Sequence, residues 1–300
     1  MALSAVMNWF GRADRAMAAA PLSLAEIEPP PLPFVPIAPG IRVPAPFWPA
    51  ERLRAAAGLW GEGFQAPGGD IEVLRLAKPL GLSSASSLLL IGAGGGGASC
   101  SIAQQLGVWV SGFEADAGLA AAATALIAQR KLTKRAAIKV WNPADPVFRK
   151  NFYHHCIALE PLRDAPVERT FAAIAQALKP GGQLMVAQIV ADAPLDATDP
   201  AVAHWARLER RDPAMLPAEV AITRTLKRLG YDVRIVEDLS ERHIHQALIG
   251  WRAAVRKMEA ERPSRRDAMA FVHEAELWLF KLRLFQLGKL RLVRWHGIGK

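Results

Sequence analysis

The sequence predicts an α/β fold built on a parallel sheet, and two observations carry that reading. From Ser87 onward, short apolar runs alternate with helical patterns, as βαβ units do. The first of these runs, "SLLLI", opens into "GAGGGG", where Gly92, Gly94 and Gly97 satisfy G-x-G-x-x-G between a strand and a helix. At 300 residues, 51% of them hydrophobic, the chain can bury one large α/β domain with an appendage.

The elements follow in order. "MALSAVMNWFGRADRAMAAAP" reads as a short amphipathic helix and not a signal peptide, because Arg12, Asp14 and Arg15 interrupt the apolar region a signal needs. Residues 29–49 are too rich in proline for a helix or a sheet interior and should form an extended arm. A helix is predicted over Ala50–Leu59, a glycine-bounded turn through Gly69, and a helix over Asp70–Lys78 that stops before Pro79.

Strands are predicted at Leu88–Ile91, Trp109–Phe113, Ala137–Val140, His155–Leu159, Gln183–Val190 and Asp232–Glu237. Helices between them fall at Ser99–Leu106, Ala117–Gln129, Glu168–Leu178 and Pro217–Leu229. "LKPGG", Leu178–Gly182, reads as a helix stop followed by a turn, since proline cannot continue a helix and glycine supplies positive φ. A mostly helical block runs from Ser240 to Gly288, and "KLRLVRWHGIGK" closes the chain with the alternation of a half-exposed strand. The expected division is an arm over 1–49, a core over 50–239, a helical cap inserted over 240–288, and a terminal strand of the core over 289–300.

The glycine loop prepares bare backbone for a ligand, and Glu114, twenty residues beyond Gly94, offers a carboxylate to ribose hydroxyls. Taken alone, this motif fits a dinucleotide. A triphosphate fits less well, because no Lys-Ser or Lys-Thr pair follows the loop.

"ALKPGGQLMV", followed by a strand, a helix, and two more strands, resembles the class I S-adenosylmethionine-dependent methyltransferases. The resemblance covers Trp60 to the C-terminus. "WGEGFQAPGG", "EDLSERHIHQALIGW" and "RLVRWHGIGK" are similar, in that order, to segments of the phosphoethanolamine N-methyltransferase-like branch. The resemblance implies a Rossmann-like, seven-stranded mixed sheet with an antiparallel last strand, and S-adenosylmethionine as the cofactor. It places Gly92, Ala93, Gly94 and Gly96 on the cofactor, Glu114 and Ala115 at the ribose, and Asn142 at the adenine amine, with Asp145 behind it. Trp60, Gly63 and Phe64 belong to a glycine-rich segment that closes over the cofactor.

The sequence also departs from the pattern. Leu90 stands where many of these enzymes carry an acidic residue, Ala56 and Phe64 where the branch has tyrosines, and no histidine follows the fourth strand in "CIALEPLRDAP". Glu160, after that strand, is the catalytic candidate, because ligand clefts lie beyond the carboxyl ends of strands. The expected activity is methyl transfer to a small or lipid-like acceptor, a catalytically degenerate binder of cofactor or partner being the alternative, and a nicotinamide-dependent dehydrogenase a second.

Net charge +9 favours anionic partners. Nucleic acid fits poorly, because the basic residues are interleaved with carboxylates and no RNA-module motif is present. "HEAELWLFKLRLFQLGKLRLVRW" can be read as an interfacial helix touching anionic lipid, or as a cap helix over Ala268–Leu287 packed on the sheet domain; the break at Gly288 favours the cap. Cys100 and Cys156 form no disulfide framework and point to a reducing, cytoplasmic setting, with peripheral contact at the inner membrane face as its variant. His204, His243, His245 and His273 lack ligand spacing, so no metal site is expected, and His154 and His155 begin a strand at the end away from the cleft.

Overall fold

The computed structural model describes residues 46–300, and the expected N-terminal helix and most of the proline-rich arm lie outside them. Helices α1 (Ala50–Trp60) and α2 (Gly69–Ala77), with a 3-10 turn at Lys78–Leu80, precede the sheet. There follow β1 (Ser87–Ile91), α3 (Gly97–Leu106), β2 (Trp109–Glu114), α4 (Ala117–Gln129), β3 (Ala136–Val140) and β4 (Tyr153–Leu159). The second half holds α5 (Val167–Ala177), β5 (Leu178–Val190), α6 (Pro200–Glu209), α7 (Glu219–Arg228), β6 (Asp232–Asp238), α8 (Ser240–Ala260), α9 (Arg265–Gln286) and β7 (Arg291–Ile298).

The seven strands form one mixed sheet in the order β3-β2-β1-β4-β5-β7-β6. The pairings from β3 across to β5 are parallel, and β7 runs antiparallel to both β5 and β6. The order reverses at β1 and β4. Crossovers on either side of them diverge there and leave a crevice at the strands' carboxyl ends.

Central strands covered on both faces read as unbroken apolar runs, and Leu88–Ile91 are fully buried. One face of the sheet packs through Phe171, Ile174, Ile222 and Leu226, the other through Val73, Leu76, Ile102 and Leu126. The helices between β6 and β7 form a third core with α1, in which Trp60, Trp251 and Trp278 meet. A fourth joins α6 to α9 through Trp205, Leu208, Leu284 and Phe285.

Three features differ from the sequence reading. "LKPGG" lies within β5 and not in a turn before it, with a register irregularity against Tyr153 and His155 where its glycines sit. Helix α6 was not anticipated, although Asp199 caps it by accepting hydrogen bonds from Ala201 and Val202 and Pro200 starts it. The side chains that would face lipid in an interfacial helix are turned inward, since Trp278 and Lys281 are both buried. Among the described residues no helix is long and apolar enough to cross a membrane.

Candidate functional site

The glycine loop leaves β1 at Gly92, whose φ is +72°. A Cβ there would lie 2.0 Å from the carbonyl oxygen of Leu159 on neighbouring β4. Gly92→Ala is therefore expected to cost more than about 2 kcal/mol of folding free energy, from the left-handed backbone and the carbonyl clash together. The check is a lowered denaturant midpoint at unchanged slope. Gly96 serves packing: a Cβ there would meet Ala123 of α4 at 2.8 Å.

Every amide of the loop has an acceptor within the protein. Gly92 and Ala93 donate to the Phe113 carbonyl (2.9 and 3.2 Å), Gly96 to Ala93 (3.2 Å), and Gly97 to the carbonyl of Gly63 (3.0 Å). Gly94 donates to Glu114 Oε2 at 2.7 Å, and Gly95 to Gln65 Oε1 at 2.8 Å. The amides that would cradle a phosphate at a helix N-terminus are thus already engaged.

Glu114 ends β2, buried, and also accepts from the Asp116 amide at 3.1 Å. Burial raises its carboxyl above the ordinary range, and the amides of Asp116 and Gly94 oppose that rise. A carboxylate in this position gains from any further O–H donor brought to it.

Beside the loop lies a cavity of about 650 Å³, within the range of small-molecule sites. Gly92, Ala93, Gly94, Glu114 and Ala115 border it on one side, and Gly63, Phe64 and Gln65 cover it. Glu72 closes another wall by accepting from Arg242 (2.8 Å) and Gln246 (3.0 Å) of α8. Burial opposes ionisation of Glu72, but Arg75 and Arg242 outweigh it and bring its carboxyl to about 2.

At the other end, where β4 stops, two ion pairs stand side by side in opposite orientation. Glu160 Oε2 accepts from Arg211 at 2.9 Å, with the Glu160 side chain 30% exposed and that of Arg211 1%. Arg163 donates to Glu209 at 3.0 Å, with the Arg163 side chain 30% exposed and that of Glu209 8%. Glu160 and Arg163 thus offer the cavity a carboxylate and a guanidinium that are each already paired, among other charged residues that border it, Asp164, Arg210 and Lys281. Lys281 of α9 lies 3.4 Å from both Glu209 oxygens. Burial would raise both carboxyls, yet Lys281 and the arginines hold both below the ordinary range, Glu209 at about 2. Glu160 is one of four non-glycine residues with positive φ among the described residues, and strained backbone of this kind clusters at working sites.

Several residues singled out from the sequence lie elsewhere. Trp60 does not border the cavity. It is buried 4.9 Å from Trp278 and edge-on to Trp251, which anchors α1 to the cap, because a large ring gains more from that apolar core than from a wet rim. Asn142 is exposed and caps its own turn by accepting from the Ala144 amide at 3.1 Å; Pro143 borders the cavity in its stead. Gly96 supports the loop from beneath, and Asp145 is exposed outside the cavity. His154 bonds to Ser87 at the far end of β4.

The sequence reading gives no role at the cleft to Gln65, Arg163, Glu209, Lys281 or His243. His243 lies on the cavity wall, its ring against Trp278 and Phe285, and burial together with Lys281 pushes it down to about 4, so it is neutral at neutral pH. Leu90 is wholly buried in the sheet, and the loop it precedes is ordered by Glu114 and Gln65.

No family model matches the chain. It is 28% identical over 130 residues to phosphoethanolamine N-methyltransferase 2 of Caenorhabditis elegans, a match covering 43% of this chain and 30% of that protein. Among solved structures it is similar to the Haemonchus contortus phosphoethanolamine N-methyltransferase 2 complex with phosphomonomethylethanolamine and S-adenosylhomocysteine. The TM-score is 0.72 at 18% identity, over 84% of this chain and 58% of that one. A geranyl diphosphate C-methyltransferase from Streptomyces coelicolor A3(2) aligns with TM-score 0.59 at 14% identity, over 76% and 78% of the two chains. The chain thus spans less than two thirds of the length of the phosphoethanolamine enzymes it matches. Its fold is that of the class I methyltransferases.

Proposed function

We propose that the chain is an S-adenosylmethionine-dependent methyltransferase whose small acceptor carries both a basic and an acidic group. The observation that carries the cofactor reading is the full engagement of the loop amides. A dinucleotide needs those amides for its pyrophosphate, whereas a nucleoside without phosphate needs only the carboxylate and an apolar wall. Glu114 supplies the first; Ala115, Leu119 and Pro143 supply the second. The residues present fit the cofactor, and the similar structures that carry S-adenosylhomocysteine support the same reading.

Bound S-adenosylmethionine supplies an electrophilic methyl group on a sulfonium. The chain's part is to hold the acceptor in line and exclude water, and orientation of that kind lowers barriers by roughly 7–11 kcal/mol in favourable cases. Glu160, ionised and open to the cavity, binds the basic group of the acceptor and stabilises the positive charge that grows there. Arg163 binds the acidic group. Both charges are pre-set by Arg211 and Glu209 and need no rearrangement as the reaction proceeds.

Calorimetry with S-adenosylmethionine, S-adenosylhomocysteine and NAD tests the cofactor assignment: binding of the first two and not of NAD is expected. No binding at millimolar S-adenosylmethionine, or tighter binding of NAD, overturns it. Release of S-adenosylhomocysteine in the presence of amino acids and amino phosphates, against simple amines and simple acids, tests the acceptor. Cofactor binding without turnover on any of them would favour the catalytically degenerate reading.

A further inference from the structure

Residues 61–69 form a strap over the glycine loop. Four glycines in it take positive φ: Gly61 (99°), Gly63 (80°), Gly68 (98°) and Gly69 (52°). Such a segment bends sharply at both ends. Three contacts hold it down on the loop: the Gly97 amide donates to Gly63, the ring of Phe64 lies against Gly97, and the Gly95 amide donates to Gln65 Oε1. The outer ion pair of Glu62 with Arg130 is exposed and adds little.

All three residues border the cavity, but Gln65 alone of them reaches the loop through a side-chain hydrogen bond, its amide lying against both Gly94 and Gly95. A Cβ at Gly94 would stand 2.1 Å from Gln65 Oε1, and one at Gly95 would stand 2.9 Å from Gln65 Nε2. A side chain at either position would push the Gln65 amide off the loop, and Gly94 is held to glycine in any case by its φ of +58°. The loop and this one side chain are fitted to each other.

We propose that Gln65 is the positioning residue that latches the strap over the bound cofactor and sets its rate of release, through the bond from the Gly95 amide to Oε1. This rests on the cofactor reading above. The bond joins strap to loop and involves neither Glu160 nor Arg163, so its loss is expected to act on residence time and not on methyl transfer.

The test is the dissociation rate of S-adenosylhomocysteine from the full chain, by stopped-flow displacement. Gln65→Met keeps the length of the side chain and removes the acceptor; release is expected to be about tenfold faster, with association changed less than about threefold. Gln65→Glu keeps an acceptor oxygen for the Gly95 amide, and release within about threefold of wild type is expected. Release from Gln65→Met at the wild-type rate overturns the proposal, as does equal acceleration in both variants. Thermal melting of each variant shows whether the fold is kept. If the wild-type chain does not bind S-adenosylhomocysteine, the cofactor reading itself has failed; if it binds and Gln65→Met is unchanged, only the latch has.

Discussion

Glu114→Ala is expected to weaken S-adenosylhomocysteine binding at least about a hundredfold, because hydrogen bonds to a charged acceptor contribute roughly 1.5–3 kcal/mol each and a ribose offers two hydroxyls. The variant also takes away the acceptor of the Gly94 and Asp116 amides, so the loop loses part of its own order. Glu114→Gln retains one acceptor oxygen and should fall between the two. The pH dependence has a definite sign. Burial raises the carboxyl of Glu114, so protonation sets in at a higher pH than for an ordinary glutamate. In the free protein this residue carries a desolvation cost at neutral pH that is relieved as pH falls through the raised value. A ligand that donates hydroxyls favours the ionised form, so affinity should drop over that same range in wild type and be flat in Glu114→Gln. Calorimetry across pH 4–7 reads both effects. An alanine variant that binds within about threefold of wild type would remove the ribose contact from the mechanism.

The sheet and the loop were legible because each rests on local pattern. Apolar runs bounded by turn residues mark strands whatever they pair with, and the spacing from Gly94 to Glu114 is one β-α-β unit long. The rest of the site depends on what the fold brings together. Glu209 comes from α6, Arg163 from the loop after β4 and Lys281 from α9; the contacts span 46 and 72 residues of sequence. No periodicity announces such a cluster. Trp60 misled for a different reason: a tryptophan beside a glycine-rich segment looks alike whether it covers a ligand or fills a core, and only the partners Trp251 and Trp278 decide. Asn142 follows β3 as expected, but its side chain is spent on its own turn. Helix α6 left a usable signal, Asp199 as a cap before Pro200.

The same cluster sets the second large effect. Glu209→Ala is expected to destabilise the chain by about 3–5 kcal/mol, the cost of leaving buried charges without their partner. Arg163 and Lys281 both lean on this carboxylate, and Arg163 also donates to the Glu209 carbonyl. The carboxylate is ionised well below its ordinary range because those cations outweigh its burial, which brings it to about 2. A carboxyl lowered in the fold stabilises above its unfolded value, near 4.5, and loses that contribution as pH falls towards 2. Wild-type stability should therefore decline over this window, and the alanine variant should decline less, having already lost the group that titrates. Glu209→Gln separates charge from shape: it keeps a hydrogen bond for Arg163 but leaves Lys281 uncompensated, so it should fall between wild type and alanine. Because α6 and α9 share the core around Trp205 and Leu284, the loss should appear as one cooperative shift in denaturant midpoint and not as fraying of a single helix. An alanine variant as stable as wild type, with the same acid limb, would mean that the two ion pairs do not pre-set the charges the acceptor meets, and Arg163 would then have to be treated as free to move when the acceptor binds.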